Sequence, residues 1–217
     1  MIEYIRDISL YLLEGTRVTI LVFAFTLAFS LPLGLLGALL KRTGIKPLVW
    51  FLDGYTWVIR GTPLLLQLFF VVYGLPILFG QFFLIDELVG AIITFIINYT
   101  AYFIEIFRGG MNSIHKSQYE ASKSLALSPL QSFLYVIFPQ TIKKTLPSIT
   151  NETITLVKDT ALVSAVAISD LLRNTKEVVV RDFRVEAYLV AAIIYLLLTY
   201  VIVFIFRKIE KRHAHYA

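Results

Sequence analysis

Four polar side chains, Ser148, Glu152, Thr155 and Asp159, follow one another at intervals of four, three and four in an otherwise apolar stretch. On a helix this spacing puts them on one face, with Asn151 beside Glu152 and Lys158 about a right angle away around the axis. Two carboxylates at membrane depth are costly unless they meet a partner, a water-filled cavity or a cation. The stripe therefore reads in two ways: as a site for a guanidinium or ammonium group, or as a packing device in which Glu152 and Asp159 pair with Lys158 or Arg60. A second polar face, Asn98, Tyr102 and Glu105 at i, i+4 and i+7, recurs earlier in the chain, and Arg108 lies within i+3 reach of Glu105. Other chemistries are excluded. There is no cysteine, the three histidines have no metal-ligand spacing, and no Gly-x-x-x-x-Gly-Lys-Ser/Thr loop is present to cradle a nucleotide.

The elements that hold these residues must be membrane helices. Of 217 residues 58% are hydrophobic, with mean hydropathy +0.76, more apolar surface than a soluble core of this size can bury. Apolar runs place spans at about 18–40, 62–80, 88–107, 146–171 and 187–206, in one domain covering 1–217. The first run lies between Arg17 and Lys41-Arg42 and reads as a span, not a cleaved leader. Residues 1–17 carry Ile2, Ile5, Ile8, Leu12 and Leu13 at helical spacing, and read equally as an interfacial amphipathic helix or as the opening of the first span. Arg60-Gly61-Thr62-Pro63 should break or kink the second. Arg60 either faces the pathway or snorkels to lipid phosphates. Residues 170–186, with acidic and basic side chains in equal number, read as a surface helix or loop outside the membrane, suited to a soluble partner.

Between the third and fourth spans, Ser117–Gln140 holds two short helices, neither able to cross a bilayer. Ser117 with Glu120 forms a capping-box pattern, and Ser128-Pro129-Leu130-Gln131 repeats it with proline at the first helical position. A turn is expected near Leu127–Ser128. Ala121, Leu125 and Ala126 make a small apolar knob suited to a groove on a partner.

At these residues the chain resembles the permease subunits of ATP-binding-cassette importers. Their signature is Glu-Ala-Ala, three residues, Gly, then nine residues before an aliphatic-x-Leu-Pro ending. Here Glu120, Ala121 and Pro139 match in register, while Ser122, Ala126 and Phe138 depart from it. Ala126 carries no expectation of the tight turn that glycine supplies, but keeps the close approach to a partner. The strings RGTPLLLQLFFVVYGLP, Tyr99 to Gly110 and Lys158-Asp159-Thr160 are similar to permeases for polar amino acids, including the arginine, lysine and histidine type, and the likeness covers Gly15 to Phe206.

The resemblance implies an all-α, five-span type I importer permease in the bacterial inner membrane. In it residues 117–139 form the cytoplasmic coupling segment, with Glu120, Ala121, Ser122, Ala126 and Pro139 docking into an ATPase. It implies that this chain is not itself an enzyme: ATP and magnesium are held by two cytoplasmic ATPase subunits. A second permease, in a homodimer, and an extracytoplasmic binding protein complete the assembly. Because Lys41, Arg42, Lys46, residues 108–144 and the basic tail Arg207, Lys208, Lys211 and Arg212 fall on one side, the amino terminus is expected outside and the carboxyl terminus in the cytoplasm. The carboxylate stripe then suggests a basic amino acid as substrate, with Asn151, Ser148 and Thr155 near its α-amino and carboxylate groups. The rival reading is an ion-coupled carrier or channel in which Glu105, Glu152 and Asp159 relay a proton or cation.

Overall fold

The computed structural model describes residues 2–80 and 84–214. Residues 1, 81–83 and 215–217, which include part of the Leu75–Glu87 connection, lie outside the described residues, as does the side chain of Arg212. The described chain is helical: α1 Ile2–Arg42, α2 Lys46–Gly61, α3 Leu64–Phe69, α4 Leu75–Phe79, α5 Glu87–Asn112, α6 Lys116–Ser124, α7 Pro129–Ser132, α8 Phe138–Asp159, α9 Leu171–Asp182 and α10 Glu186–Ala214.

Residues 2–17 do not form a separate interfacial helix: from Ile2 they run without a break into the first span. Because α1 is 41 residues long, at about 1.5 Å per residue it is about twice the thickness of the hydrocarbon core, and its amino-terminal turns stand clear to receive α9. Tyr11 Oη donates to Glu177 Oε2 at 2.7 Å and Tyr4 Oη to Asp182 Oδ2 at 3.0 Å, so the charged segment is a helix pinned to α1. Asp170 caps it, accepting from the Arg173 amide at 2.9 Å.

The centre of the bundle is the α1–α5 pair, its most extensive helix contact. Gly34 and Gly37 make the approach possible: a Cβ on Gly34 would stand 2.3 Å from the Phe103 Cβ, and one on Gly37 2.6 Å from the Ile104 side chain. Gly110 does the same against Thr145 of α8.

The second span is bent by 103° between α2 and α3, at the Arg60–Pro63 break. Its apolar half starts at Leu64, where the apolar run of the sequence begins, because Pro63 has an extended ψ of 133°. The carbonyl of Ile59 would accept from residue 63 in a continuous helix, and proline has no N–H to give. Gln67 Nε2 donates to it instead, at 2.8 Å, and also to Thr62 Oγ1 at 2.7 Å. Farther on, five-residue π turns at Phe70–Gly74 and Phe133–Ile137 end two residues before Pro76 and Pro139. The wider turn removes the clash of the proline ring with the carbonyl four residues back.

The fourth stretch differs from the expected 146–171. The helix begins at Phe138, ends as an α-helix at Asp159, and tightens into a 3-10 helix over Thr160–Val166. Ala167 leaves it in the left-handed conformation, φ 65°. Among the described residues three helices are long and apolar enough to cross a membrane, and α2 with α3–α4 makes a bent fourth. α8 has the length but not the hydropathy, being rich in threonine. Thr141, Thr145, Thr150, Thr153 and Thr155 each donate to the carbonyl four residues back, so their hydroxyls are satisfied within the helix.

Candidate functional site

Three elements converge on a cavity of ≈ 580 Å³. The α2–α3 break supplies Arg60 and Thr62, the buried face of α5 supplies Asn98, Tyr99 and Tyr102, and the end of α8 supplies Glu152, Thr155 and Asp159. The broken helix is tied to α5 by Asn98, whose Nδ2 donates to Gln67 Oε1 at 3.0 Å. One glutamine side chain thus closes the break and fixes it to the neighbouring wall.

Tyr99 is buried, with its ring against Phe95 and Phe103, and its Oη donates to Asp159 Oδ2 at 2.8 Å. A charge-assisted bond of this kind holds the carboxylate in one orientation. Across the cavity the Arg60 guanidinium lies 5.2 Å from the centroid of the Tyr102 ring. Neither Glu152 nor Asp159 forms an ion pair with Arg60 or Lys158; the ion pairs among the described residues lie elsewhere. The packing-pair reading of the stripe therefore fails. Arg60 lines the cavity wall, one of the two places open to it from the sequence. Formal charge in the cavity is two negative and one positive.

Not every stripe residue enters it. Thr155 does, while Ser148 lies a turn earlier on α8 and Asn151 faces outward, and neither lines the cavity. Asn98 and Tyr102 line the cavity but Glu105 does not: it receives Arg108 Nε at 2.8 Å and Lys41 Nζ at 2.7 Å. The i+3 pair with Arg108 was legible in the sequence. Lys41, which arrives from α1, was not. Tyr99 and Gln67 lie in the strings similar to polar amino acid permeases, but no spacing pattern singled out either side chain.

At the other end lies the α6–α7 hairpin. The first capping box is not formed. His115 is the N-cap, its Nδ1 accepting from the Ser117 amide, and Ser117 lies inside the first turn. The second is formed in full by Ser128 and Gln131, with Pro129 at the first position. Ala126 adopts φ 53°, so the tight turn exists although alanine stands there. The amides of Leu127 and Ala126 donate to the carbonyls of Ser122 and Lys123 at 3.1 and 2.9 Å, the double closure of a Schellman turn. Ser122 is buried and its Oγ meets Ser132 Oγ at 2.6 Å, a bond between the two short helices that an alanine could not make. Glu120, Ala121, Leu125, Ala126 and Pro139 are exposed, as are Leu130, Leu134 and Tyr135.

Residues 30–215 match the family of binding-protein-dependent transport system inner membrane components, and the chain belongs to it. It is an integral protein of the bacterial plasma membrane that works with a binding protein and an ATPase and does not itself hydrolyse ATP. Among relatives, the arginine transport system permease protein ArtQ of Bacillus subtilis is 34% identical over 93% of this chain and 92% of its own length. The glutamine transport system permease protein GlnP of Escherichia coli is 35% identical over 93% and 92%. A crystal structure of an amino acid ABC transporter with histidines superposes with TM-score 0.86 at 32% identity, covering 98% of this chain and 96% of that one. The inward-facing MetNI methionine ABC transporter, at TM-score 0.71, 18% identity and 94% of each chain, shares the fold.

Proposed function

We propose that the chain is the permease subunit of an ATP-driven amino acid importer and translocates a basic amino acid by alternating access. The observation that carries this reading is the pair Glu152 and Asp159, free of ion pairs, facing Arg60 across one cavity. A cationic side chain would lie against the carboxylates and the substrate carboxylate against Arg60, which replaces Ser148 and Asn151 as its partner. Tyr99, by holding Asp159, fixes the cationic end. The cavity is open on the bundle surface, which supports a second permease, an identical copy, as its opposite wall. The exposed apolar and acidic residues of α6 and α7 form the docking surface for the ATPase, which holds the ATP and magnesium. The distribution of Lys and Arg puts this hairpin and the carboxyl terminus in the cytoplasm and the amino terminus outside.

The ion-coupled alternative needs Glu105 in relay with the other two carboxylates, and Glu105 is held outside the cavity by two cations. The reading is tested in proteoliposomes containing the permease, its ATPase and its binding protein. Removing one charge-assisted contact by Glu152→Gln should cost about 1.5–3 kcal/mol, or about ten- to a hundredfold in arginine transport. Glutamine uptake in the same vesicles should change far less. Unchanged arginine uptake would refute the basic specificity, and ATP-independent uptake by the lone chain would refute the importer.

A further inference from the structure

We propose that Lys41 and Arg42, the last two residues of α1, link movement of the α6–α7 hairpin to the transport cavity, with α2 as the lever between them. The proposal rests on the reading of the hairpin as the ATPase-docking element. Consecutive residues on a helix point about 100° apart, and these two engage different partners. Arg42 reaches α6: its Nη1 donates to Tyr119 Oη at 3.0 Å, and its guanidinium lies 5.4 Å from the centre of that ring. Lys41 points inward. Its side chain is only 5% exposed, and its Nζ meets Glu105 Oε1 at 2.7 Å, Asp53 Oδ1 at 2.8 Å and Thr56 Oγ1 at 3.2 Å.

One ammonium group thereby joins α1, α2 and α5, while its neighbour holds α6. From this junction α2 runs uninterrupted to Arg60, at the 103° break that forms one wall of the cavity. A displacement of α6 that carried Tyr119 would shift the end of α1 and, through Lys41, Asp53 and Thr56, the middle of α2. Tilting that rod would move Arg60 relative to Glu152 and Asp159. The connections of α6 to α5 and α8, through Tyr119 Oη to the Met111 carbonyl at 3.4 Å and Gln140 Nε2 to Gln118 Oε1 at 3.1 Å, do not include α2. Arg42 is thus a positioning residue, remote from both substrate and nucleotide.

The test uses the complete transporter in proteoliposomes with Arg42→Gln, Tyr119→Leu, Arg42→Lys and the double variant Arg42→Gln/Tyr119→Leu. For the first two we expect normal assembly with the ATPase and unchanged basal hydrolysis. Stimulation of hydrolysis by the substrate-loaded binding protein should fall about two- to fivefold, as expected for an exposed cation–π contact, and substrate moved per ATP should fall with it. Arg42→Lys, which keeps a cation over the ring, should recover part of the loss, and the double variant should be no worse than either single one. Unchanged stimulation in both single variants, or losses that multiply in the double variant, would overturn the proposal. So would loss of ATPase binding by Arg42→Gln, which would make the residue a docking contact. If the native chain moved substrate without any ATPase, the importer reading itself would fall, a result distinct from these.

Discussion

Lys41→Met tests whether one buried ammonium holds three helices together. It removes contacts to Glu105, Asp53 and Thr56, which leave different residues behind. Asp53 is 58% exposed and returns to water, so that pair contributes at most about 1 kcal/mol. Glu105 is 16% exposed and keeps Arg108, so it is not orphaned, and losing one charge-assisted bond costs about 1.5–3 kcal/mol. The total, about 2–4 kcal/mol, falls below that for stranding a fully buried charge. Glu105→Gln should cost about 2–3 kcal/mol, because Lys41 keeps Asp53. In the double variant neither partner is left half-satisfied, so its loss should be smaller than the sum by about 1.5–2 kcal/mol. The chain has two tryptophans, Trp50 and Trp57, both on α2 and both exposed. Their fluorescence during heating in detergent reports the helix in question, and each kcal/mol corresponds to about 2–4 °C in midpoint for a domain of this size. Additive losses, or an Asp53→Asn variant as damaging as Glu105→Gln, would refute the account.

Ala126→Gly should stabilise the hairpin turn by about 1 kcal/mol, because the left-handed backbone at 126 is unfavourable for alanine; slower amide exchange at Leu127 is the readout. Gly34→Val should be severe, about 3 kcal/mol or more from overpacking against the Phe103 and Ile104 backbone, seen as lost monodisperse protein, while Gly54→Ala, with open space around it, should be tolerated. In α9, the hydrogen bond from Arg181 holds the Asp182 carboxyl down to about 2, against an ordinary value near 3.8. A carboxyl lowered on folding stabilises above its unfolded pKa, so attachment of α9 to Tyr4 should be full above about pH 4 and lost as pH falls through about 2. Hydrogen exchange across α9 at several pH values tests this, and loss already at pH 5 would contradict it.

Periodicity and composition decided much about this protein. Helices need only local information, and the 3.6-residue repeat placed Glu152, Thr155 and Asp159 on one face and Asn98 and Tyr102 on another. The Ser128 cap and the Arg60–Pro63 break were readable because proline and serine act on their own backbone neighbours. The His115 cap escaped notice because an imidazole acceptor has no strong positional signature, and the true limits of α8 because threonine back-bonding hides its polarity from a hydropathy scale. Ala126 shows tertiary and hairpin contacts overriding residue preference.

The choice of partners was open until the chain folded. Arg60 and Lys41 are both cations near the ends of apolar runs, alike to any sequence pattern, yet one faces an open cavity and the other is buried between carboxylates. Glu105 and Glu152 are both intramembrane acids, and only the second is free of ion pairs. These outcomes depend on contacts between residues 42 to 64 positions apart: Arg60 with Tyr102, Tyr99 with Asp159 and Lys41 with Glu105. Local propensity does not reach that far, and the packing of α1, α2 and α8 around α5 settles it.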